Sequence, residues 1–207
     1  GSRSAPFAYA LEAGSFGGDA RAVLDERGAG FAAVGLARTG ALPVIVVTSG
    51  TAVAELAPAV LEASHARLPL LVLSADRPGE LRGVGASQAT HQSRFFGMHV
   101  RASIDLEPQE ASPSLVGHLA RAVAAACGAP SGTPGPVQIN VAFRDPLTPV
   151  RPASDSGDEV GASFVPRPTR VMGAPAVPAR WEDVVGPAVA GLIVAGEGAS
   201  PRAREWS

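Results

Sequence analysis

Three short runs of apolar residues constrain the fold of this chain more than any other feature. They are "PVIVVT" (43–48), "PLLVLSA" (69–75) and "GPVQINVA" (135–142). Each run is rich in Val, Ile or Leu and does not alternate with charged side chains, which is typical of strands buried on both faces. Strands of this kind predict a parallel sheet, because helices cover both faces of such sheets.

Segments with helical character separate the apolar runs. A fourth, shorter strand is predicted at 20–25, and helices are predicted at 4–13, 26–40, 49–67 and 114–127. Alternating helices and buried strands predict an α/β domain, a parallel sheet flanked by helices. Ligands of such sheets bind beyond the carboxyl ends of the strands. We therefore expect the functional residues in the loops 25–27, 48–51 and 75–92.

The composition limits the partners of the chain. Its 207 residues are 46% hydrophobic but only 5% aromatic, so the core must consist mainly of Ala, Val and Leu. A net charge of −2 offers no basic surface, so we expect no nucleic-acid partner and no attraction to an anionic membrane. Cys127 is the single cysteine, which excludes an internal disulfide and favours a cytoplasmic location. We expect no leader peptide, and no apolar run is long enough for stable membrane insertion.

The composition changes after about residue 147. Residues 147–182 are rich in Pro, Ser and Gly without a sustained period, which is typical of a linker. "AGLIVAGEGAS" (190–200) resembles a strand and glycine turn. We predict a first domain at 1–148, a linker at 149–182 and the beginning of a second α/β domain at 183–207. The chain opens on "GSRSAPFAYAL", a loop leading directly into a helix, so we expect a fragment whose first strand is missing.

The stretch "AVLDERGAGFAAVGLARTG" (22–40) places three charges before a helix rich in Gly and Ala. An acid in the first turn of a helix is ordinary, because the helix dipole is positive there. The small neighbours of Glu26, among them Gly28 and Gly30, favour a second interpretation. In that interpretation a flat ligand or another chain packs closely over this turn, and the carboxylate of Glu26 faces it.

Two further stretches combine polar residues with the end of a predicted buried strand. In "VTSGTAVAEL" the backbone of Thr48, Ser49 and Gly50 can bind a phosphate or a polar ring, although an ordinary N-capped strand-to-helix turn is the alternative. In "SADRPGELRGVGASQATHQSRFFG" (74–97) Arg77 lies where a planar cation can bind a substrate carboxylate. Its alternative role is to hold the loop to Asp76 or Glu80.

Several other kinds of site are not indicated. The four His residues have no spacing typical of metal ligands, so we predict no metal site within this chain. The sequence contains neither a Walker phosphate loop nor a dinucleotide fingerprint. A nucleophile elbow of the G-x-S-x-G type is also missing.

Taken together, "GSRSAP", "DERGAGFAAVGLA", "TSGTAVAELAPAVLEASHARLPLLVLSADRPGELRGVGASQ" and "GPVQINVAFRDPL" resemble the SEPHCHC synthase (MenD) family of thiamine-diphosphate enzymes. The resemblance runs in order from residue 1 to about 148. It implies the pyrimidine-binding domain of a three-domain enzyme, with Mg²⁺ and the diphosphate bound by a domain absent from this chain. It also implies a homodimer or homotetramer with active sites between two chains.

The resemblance implies a reaction of menaquinone biosynthesis. 2-Oxoglutarate is decarboxylated on thiamine diphosphate, and the resulting carbanion adds to isochorismate to give SEPHCHC and CO2. Glu26 matches the catalytic glutamate that binds N1′ of the aminopyrimidine. Ser2, Arg3, Arg77 and Gln88 match residues that contact isochorismate.

Position 87 departs from the family pattern, because Ser87 stands where several relatives have Asn. A side-chain contact from this position is therefore not assigned.

Two other functions remain open on the sequence. The first is another thiamine-diphosphate synthase or decarboxylase, similar to acetolactate synthase, against which "GSRSAP" and "ADRP" argue. The second is a non-catalytic, truncated domain acting in oligomerisation, which the missing diphosphate-binding motif (Gly-Asp-Gly followed by Asn) favours for this chain as it stands. If the chain is half of an active site, we expect it to be inactive alone.

Overall fold

Four parallel strands form the sheet in a computed structural model that describes residues 1–13, 18–109, 112–129 and 132–148. The strands are β1 (Val44–Val47), β2 (Leu70–Asp76), β3 (Ala102–Leu106) and β4 (Pro136–Ala142), and their order in the sheet is β1-β2-β4-β3. The three apolar runs are therefore strands, and the predicted α/β fold class is confirmed. The predicted linker and second domain, 149–207, lie outside the described residues.

Five α-helices accompany the sheet in the described ranges. They are α1 (Ala5–Glu12), α2 (Glu26–Arg38), α3 (Thr51–Ala54), α4 (Ala57–His65) and α5 (Pro113–Ala126). The single helix predicted at 49–67 is wrong, because α3 and α4 are separate. Pro58 in the first turn of α4 has no N–H to donate, and its ring would clash with the carbonyl of Ala54 in a continuous helix. None of the helices in the described ranges is long and apolar enough to cross a bilayer.

Two hydrophobic clusters cover the two faces of the sheet. Helices α2, α3 and α4 pack on one face, and α5 packs on the other. Strand β2 serves both clusters, because Leu70 and Val72 belong to the first and Leu71 to the second. This placement explains the unbroken apolar run of β2, since successive side chains of a strand point to opposite faces.

The strand predicted at 20–25 is wrong. Residues 19–23 have no regular secondary structure, and the side chains of Val23 and Leu24 are exposed. A strand needs a neighbouring backbone for its hydrogen bonds. Among the described strands, the edge strand β1 pairs with β2 alone. Residues 20–25 therefore pair with no strand of the described sheet.

Strand β3 was not predicted. Its sequence "ASIDL" is short and mixes polar with apolar residues, and most of its side chains are only partly buried. It lies at the edge of the sheet beside β4. An edge strand carries a weaker hydrophobic pattern than the central strands, because one of its sides is not covered by another strand.

Candidate functional site

The carboxyl ends of β1, β2 and β4 converge on one edge of the sheet. The turn Thr48–Gly50 follows β1, Arg77 follows β2, and Phe143 follows β4. The turn and Arg77 both contact Gln88, and Phe143 contacts Arg3. Arg3 and Gln88 are residues that the resemblance assigned to the site. Two of the loops selected from the sequence, 48–51 and 75–92, therefore meet in space, as expected for loops that follow neighbouring strands of a parallel sheet.

The turn after β1 lies directly against Gln88. Gly50 has a φ of +79°, and a Cβ atom at this position would lie 2.9 Å from both the Cγ atom and the carbonyl oxygen of Gln88. The Gln88 side chain donates to the carbonyl oxygen of Ser49 at 3.0 Å. Only glycine fits both the backbone conformation and the space at position 50.

Arg77 joins this turn to the loop that carries Gln88. Its Nη1 donates to the Ser49 hydroxyl at 2.7 Å and to the Gln88 carbonyl at 2.9 Å. Neither of the predicted alternative side-chain partners of its guanidinium is used. Asp76 instead accepts from the backbone N–H of Arg77 at 2.7 Å, and Glu80 pairs with another residue, Arg144.

Arg82 is the cation that binds Asp76. Its Nε lies 3.2 Å from Asp76 Oδ2, and its Nη1 donates to Asp105 at 2.8 Å. The same Nε donates to the carbonyl oxygen of Arg77 at 2.8 Å. The backbone of Arg77 is thus held on both sides, by the carboxylate of Asp76 at its N–H and by Arg82 at its carbonyl.

The first three residues lie over the ends of β1 and β4. Ser2 begins a short 3-10 helix, Ser2–Ser4, so the helix predicted at 4–13 is preceded by one tighter turn. Arg3 donates from Nη1 to the Phe143 carbonyl at 2.9 Å, and its side chain is only 11% exposed. A Cβ atom on Gly1 would lie 2.6 Å from Thr48 Oγ1, so the chain approaches this turn as closely as a glycine allows.

Asp25 is the N-cap of α2. Its carboxylate accepts from the backbone N–H groups of Arg27 and Gly28 at 2.9 and 3.4 Å and from the Arg27 guanidinium at 2.7 Å. The hydrogen bond from the Arg27 side chain, assisted by that from its backbone N–H, lowers the pKa of Asp25 from the ordinary 3.8 to about 2. The capping role that an acid can play at a helix start therefore belongs to Asp25.

Glu26 is left without such a role. Its side chain is partly buried and makes no hydrogen bond or ion pair with any other residue in the described ranges. The Arg27 guanidinium lies 3.6 Å from the carboxylate of Glu55, which ties the beginning of α2 to the end of α3. The carboxylate of Glu26 is therefore available to a donor from outside the described residues.

A buried polar network lies beneath this edge, and the sequence analysis did not assign it to the site. Asn140 accepts from Ser74 at 2.9 Å through its Oδ1 and donates to Asp76 at 2.8 Å through its Nδ2. Gln92 donates to the same Oδ1 at 2.9 Å, and Gln138 donates to the Gln92 carbonyl at 2.7 Å. The sequence contained a signal for this network. Gln138 and Asn140 are polar residues two apart in the apolar strand β4, so their side chains lie on the same face of the sheet.

Comparison with known proteins agrees with the fold. Residues 1–95 match the family described as "Thiamine pyrophosphate enzyme, N-terminal TPP binding domain". The chain is 48% identical over 198 residues to a 2-succinyl-5-enolpyruvyl-6-hydroxy-3-cyclohexene-1-carboxylate (SEPHCHC) synthase of Arthrobacter sp. (strain FB24). This alignment covers 89% of this chain and 32% of that protein. It is 55% identical over 156 residues to the synthase of the same name from Kineococcus radiotolerans, covering 72% of this chain and 28% of that protein.

The chain thus spans about a third of the length of the curated relatives that it matches. Identity near one half over most of the chain is far above the level at which fold and family diverge, and the matched domain is the one that the topology indicates. The chain belongs to the SEPHCHC synthase family of thiamine-diphosphate enzymes.

Proposed function

We propose that this chain supplies the pyrimidine-binding part of an active site that decarboxylates 2-oxoglutarate and adds the resulting carbanion to isochorismate, giving SEPHCHC and CO2. The reaction belongs to menaquinone biosynthesis. The observation that carries the proposal is the convergence of Arg3, Arg77, Gln88 and the Thr48–Gly50 turn on one edge of the sheet. The parallel sheet brings the ends of these strands to one edge, and the hydrogen bonds of Arg3, Arg77 and Gln88 concentrate polar and cationic groups there.

The residues present fit thiamine diphosphate. Thr48 Oγ1 is buried and has no hydrogen-bond partner in the described ranges, and Glu26 offers a carboxylate that is unpaired there. A buried hydroxyl without a partner is costly, and a bound polar group would relieve that cost once Gly1, which lies against this hydroxyl, moves aside. Ser49 and Gly50 complete the proposed contact with the pyrimidine ring, although the N–H of Gly50 is already donated to Gln92 Oε1 at 2.9 Å.

The cofactor, when bound, supplies the electron sink that makes decarboxylation feasible. The role of this chain is to set the protonation state of the pyrimidine. Glu26 would accept a hydrogen bond from N1′ and hold a proton there, which is a general acid–base role for a carboxylate. Because Asp25 already caps α2, the helix does not compete for this carboxylate.

Arg3 and Arg77 are the proposed binding groups for the carboxylates of isochorismate. In the described ranges Arg77 makes its side-chain bonds through Nη1, so its Nη2 is free to donate to a substrate. Arg3 Nε is buried and has no partner there, and a substrate carboxylate can accept from the same guanidinium. Ser2 is exposed beside Arg3 and can donate its hydroxyl to the same substrate, and Gln88 borders the turn from the other side.

The proposal includes partners that bind outside these residues. Mg²⁺ would be held with the diphosphate by another part of a complete synthase. A second copy of the protein would complete each site in a homodimer or homotetramer. The cytoplasm is the proposed location, since the chain has one cysteine, Cys127, which is exposed and free.

The test uses a completed synthase, defined as this chain joined to the part of the Arthrobacter relative that it does not match. With thiamine diphosphate, Mg²⁺, 2-oxoglutarate and isochorismate, it should release CO2 and form SEPHCHC, and omission of any one component should stop product formation. Formation of acetolactate from pyruvate instead would favour the alternative synthase. A folded completed synthase with no activity on either substrate pair would favour a non-catalytic domain.

A further inference from the structure

Gln92 is one of the most completely buried polar side chains in the described ranges, with 1% of its surface exposed. Its Oε1 accepts from the backbone N–H of Gly50 at 2.9 Å. Its Nε2 donates to the carbonyl oxygen of Ala75 and to Asn140 Oδ1, each at 2.9 Å. A single amide therefore connects the turn after β1 to the carboxyl ends of both β2 and β4.

The turn held in this way is the one that the proposed substrate-binding residues use. Ser49, next to Gly50, accepts from Gln88 through its carbonyl oxygen and from Arg77 through its hydroxyl. Gly50 also lies against the backbone of Gln88, with no space for a Cβ atom. A displacement of this turn would therefore displace both Arg77 and Gln88.

We propose that Gln92 is a positioning residue, which fixes the Thr48–Gly50 turn and through Ser49 sets the places of Arg77 and Gln88. This inference rests on the proposed function, because the two placed side chains are the ones assigned to isochorismate. Gln92 itself is buried beneath the turn and contacts no substrate in this proposal. Its effect reaches the substrate only through the hydrogen bonds of Gly50 and Ser49.

Glutamine suits this position for a chemical reason. The site requires an acceptor for Gly50 N–H and, on the same group, donors for the Ala75 carbonyl and Asn140. A carboxylate has no donor, and an aliphatic side chain has neither donor nor acceptor. Asparagine has the same amide on a side chain one methylene shorter, so it cannot reach both sides together.

The first test measures residue-resolved amide hydrogen exchange in the 207-residue chain. Gln92→Met keeps the volume of the side chain and removes its hydrogen bonds, so the Gly50 amide should exchange at least about tenfold faster. Ser74→Ala is the matched control, because the Ser74 side chain belongs to the same buried network but makes no hydrogen bond to the turn in the described ranges. Unchanged Gly50 exchange in Gln92→Met would overturn the proposal. If this variant does not fold, Gln92→Asn replaces it, and the Gly50 amide should again exchange faster because the shorter side chain cannot hold both sides. Unchanged Gly50 exchange in Gln92→Asn would then overturn the proposal.

The second test measures steady-state kinetics in the completed synthase. Gln92→Met should raise the KM for isochorismate about tenfold while kcat falls by less than about threefold, because the loss is in substrate binding. Ser74→Ala should leave that KM within about twofold. Faster Gly50 exchange without a change in KM would show that Gln92 is only structural and would overturn the positioning role. If the unmutated synthase makes no SEPHCHC, the proposed function fails, and the exchange experiment still decides whether Gln92 holds the turn.

Discussion

Gly30 of α2 lies so close to Ala59 of α4 that a Cβ atom on the glycine would lie 2.7 Å from the alanine Cβ. Leu56 Cδ2 would lie 3.3 Å from the same atom. The small residue at position 30 therefore serves packing between two helices of this chain. The expectation that it leaves room for a flat ligand or a partner chain is wrong at this position, because Gly30 is buried by α4.

Gly30→Ala should destabilise the domain. The added methyl group must push α2 away from α4, and overpacking of this kind exceeds the helix-propensity gain of about 1 kcal/mol, for a net loss of about 1–2 kcal/mol. The measurement is chemical denaturation of the 207-residue chain. Gly35→Ala is the matched control in the same helix, since nothing lies within 4 Å of its Cβ position, and it should stabilise by about 0.5–1 kcal/mol. Equal effects of the two substitutions would contradict the packing role of Gly30.

Arg77→Ala should impair isochorismate binding and also weaken the fold. Loss of a proposed carboxylate contact should raise the KM for isochorismate at least about tenfold in the completed synthase. Because the guanidinium also binds Ser49 and Gln88, unfolding should become easier by about 1–2 kcal/mol. Arg38→Ala removes an exposed arginine that pairs with Glu62 and should change the KM little. An unchanged KM with reduced stability would leave Arg77 as a structural residue.

Glu26→Gln should reduce turnover without reducing stability. The amide keeps the shape of the side chain but is a weaker acceptor for a proton at N1′, so kcat should fall at least about a hundredfold, the lower range for acid–base catalysis. The KM for isochorismate should change little. Glu55→Gln, which removes an exposed acid that pairs with Arg27, is the control and should keep near-normal turnover. Near-normal kcat in Glu26→Gln would show that the acid is an ordinary residue of the first helical turn.

Asp25 should make stability depend on pH at the acid end. Its pKa is lowered from 3.8 to about 2 in the folded chain, so its contribution is fully present above about pH 4 and is lost as pH falls through 2. Asp25→Asn can still cap α2 but cannot pair as an anion with Arg27. The difference in unfolding free energy between the two proteins should therefore be constant above pH 4 and shrink between pH 4 and pH 2. A difference that stays constant down to pH 2 would contradict the effect of Arg27 on the pKa.

The 207-residue chain by itself should bind thiamine diphosphate and Mg²⁺ too weakly to detect at micromolar concentrations. Only the pyrimidine contacts are proposed here, and the Mg²⁺–diphosphate contacts would supply most of the binding energy. The exposed apolar side chains of Val23, Leu24, Phe31 and Leu36 should lead the chain to associate with itself. Calorimetric titration with light scattering measures both properties. Micromolar binding by a monomer would contradict the proposed division of the site.

Sequence patterns alone predicted three of the four described strands, and they selected the edge of the sheet at which the proposed site lies. The apolar runs of β2 and β4 were found because both faces of these strands are buried. The end of α2 was found from Gly40, whose φ of +89° suits glycine just after a helix. In contrast, 20–25 has the composition of a strand but forms none, because pairing depends on a neighbouring strand.

The features that could be identified from the sequence are local. The acidic turn at Asp25 and Glu26, the glycine turn after β1 and the arginine after β2 could be identified, because caps, turns and buried strands follow from the order of neighbouring residues. The packing of the folded chain was needed to show that Asp76 binds Arg82, that Arg77 binds Ser49 and Gln88, and that Gln92 binds Gly50. These partners are up to 42 residues apart in the chain. Which donor meets which acceptor over such separations is set by how the helices and strands pack.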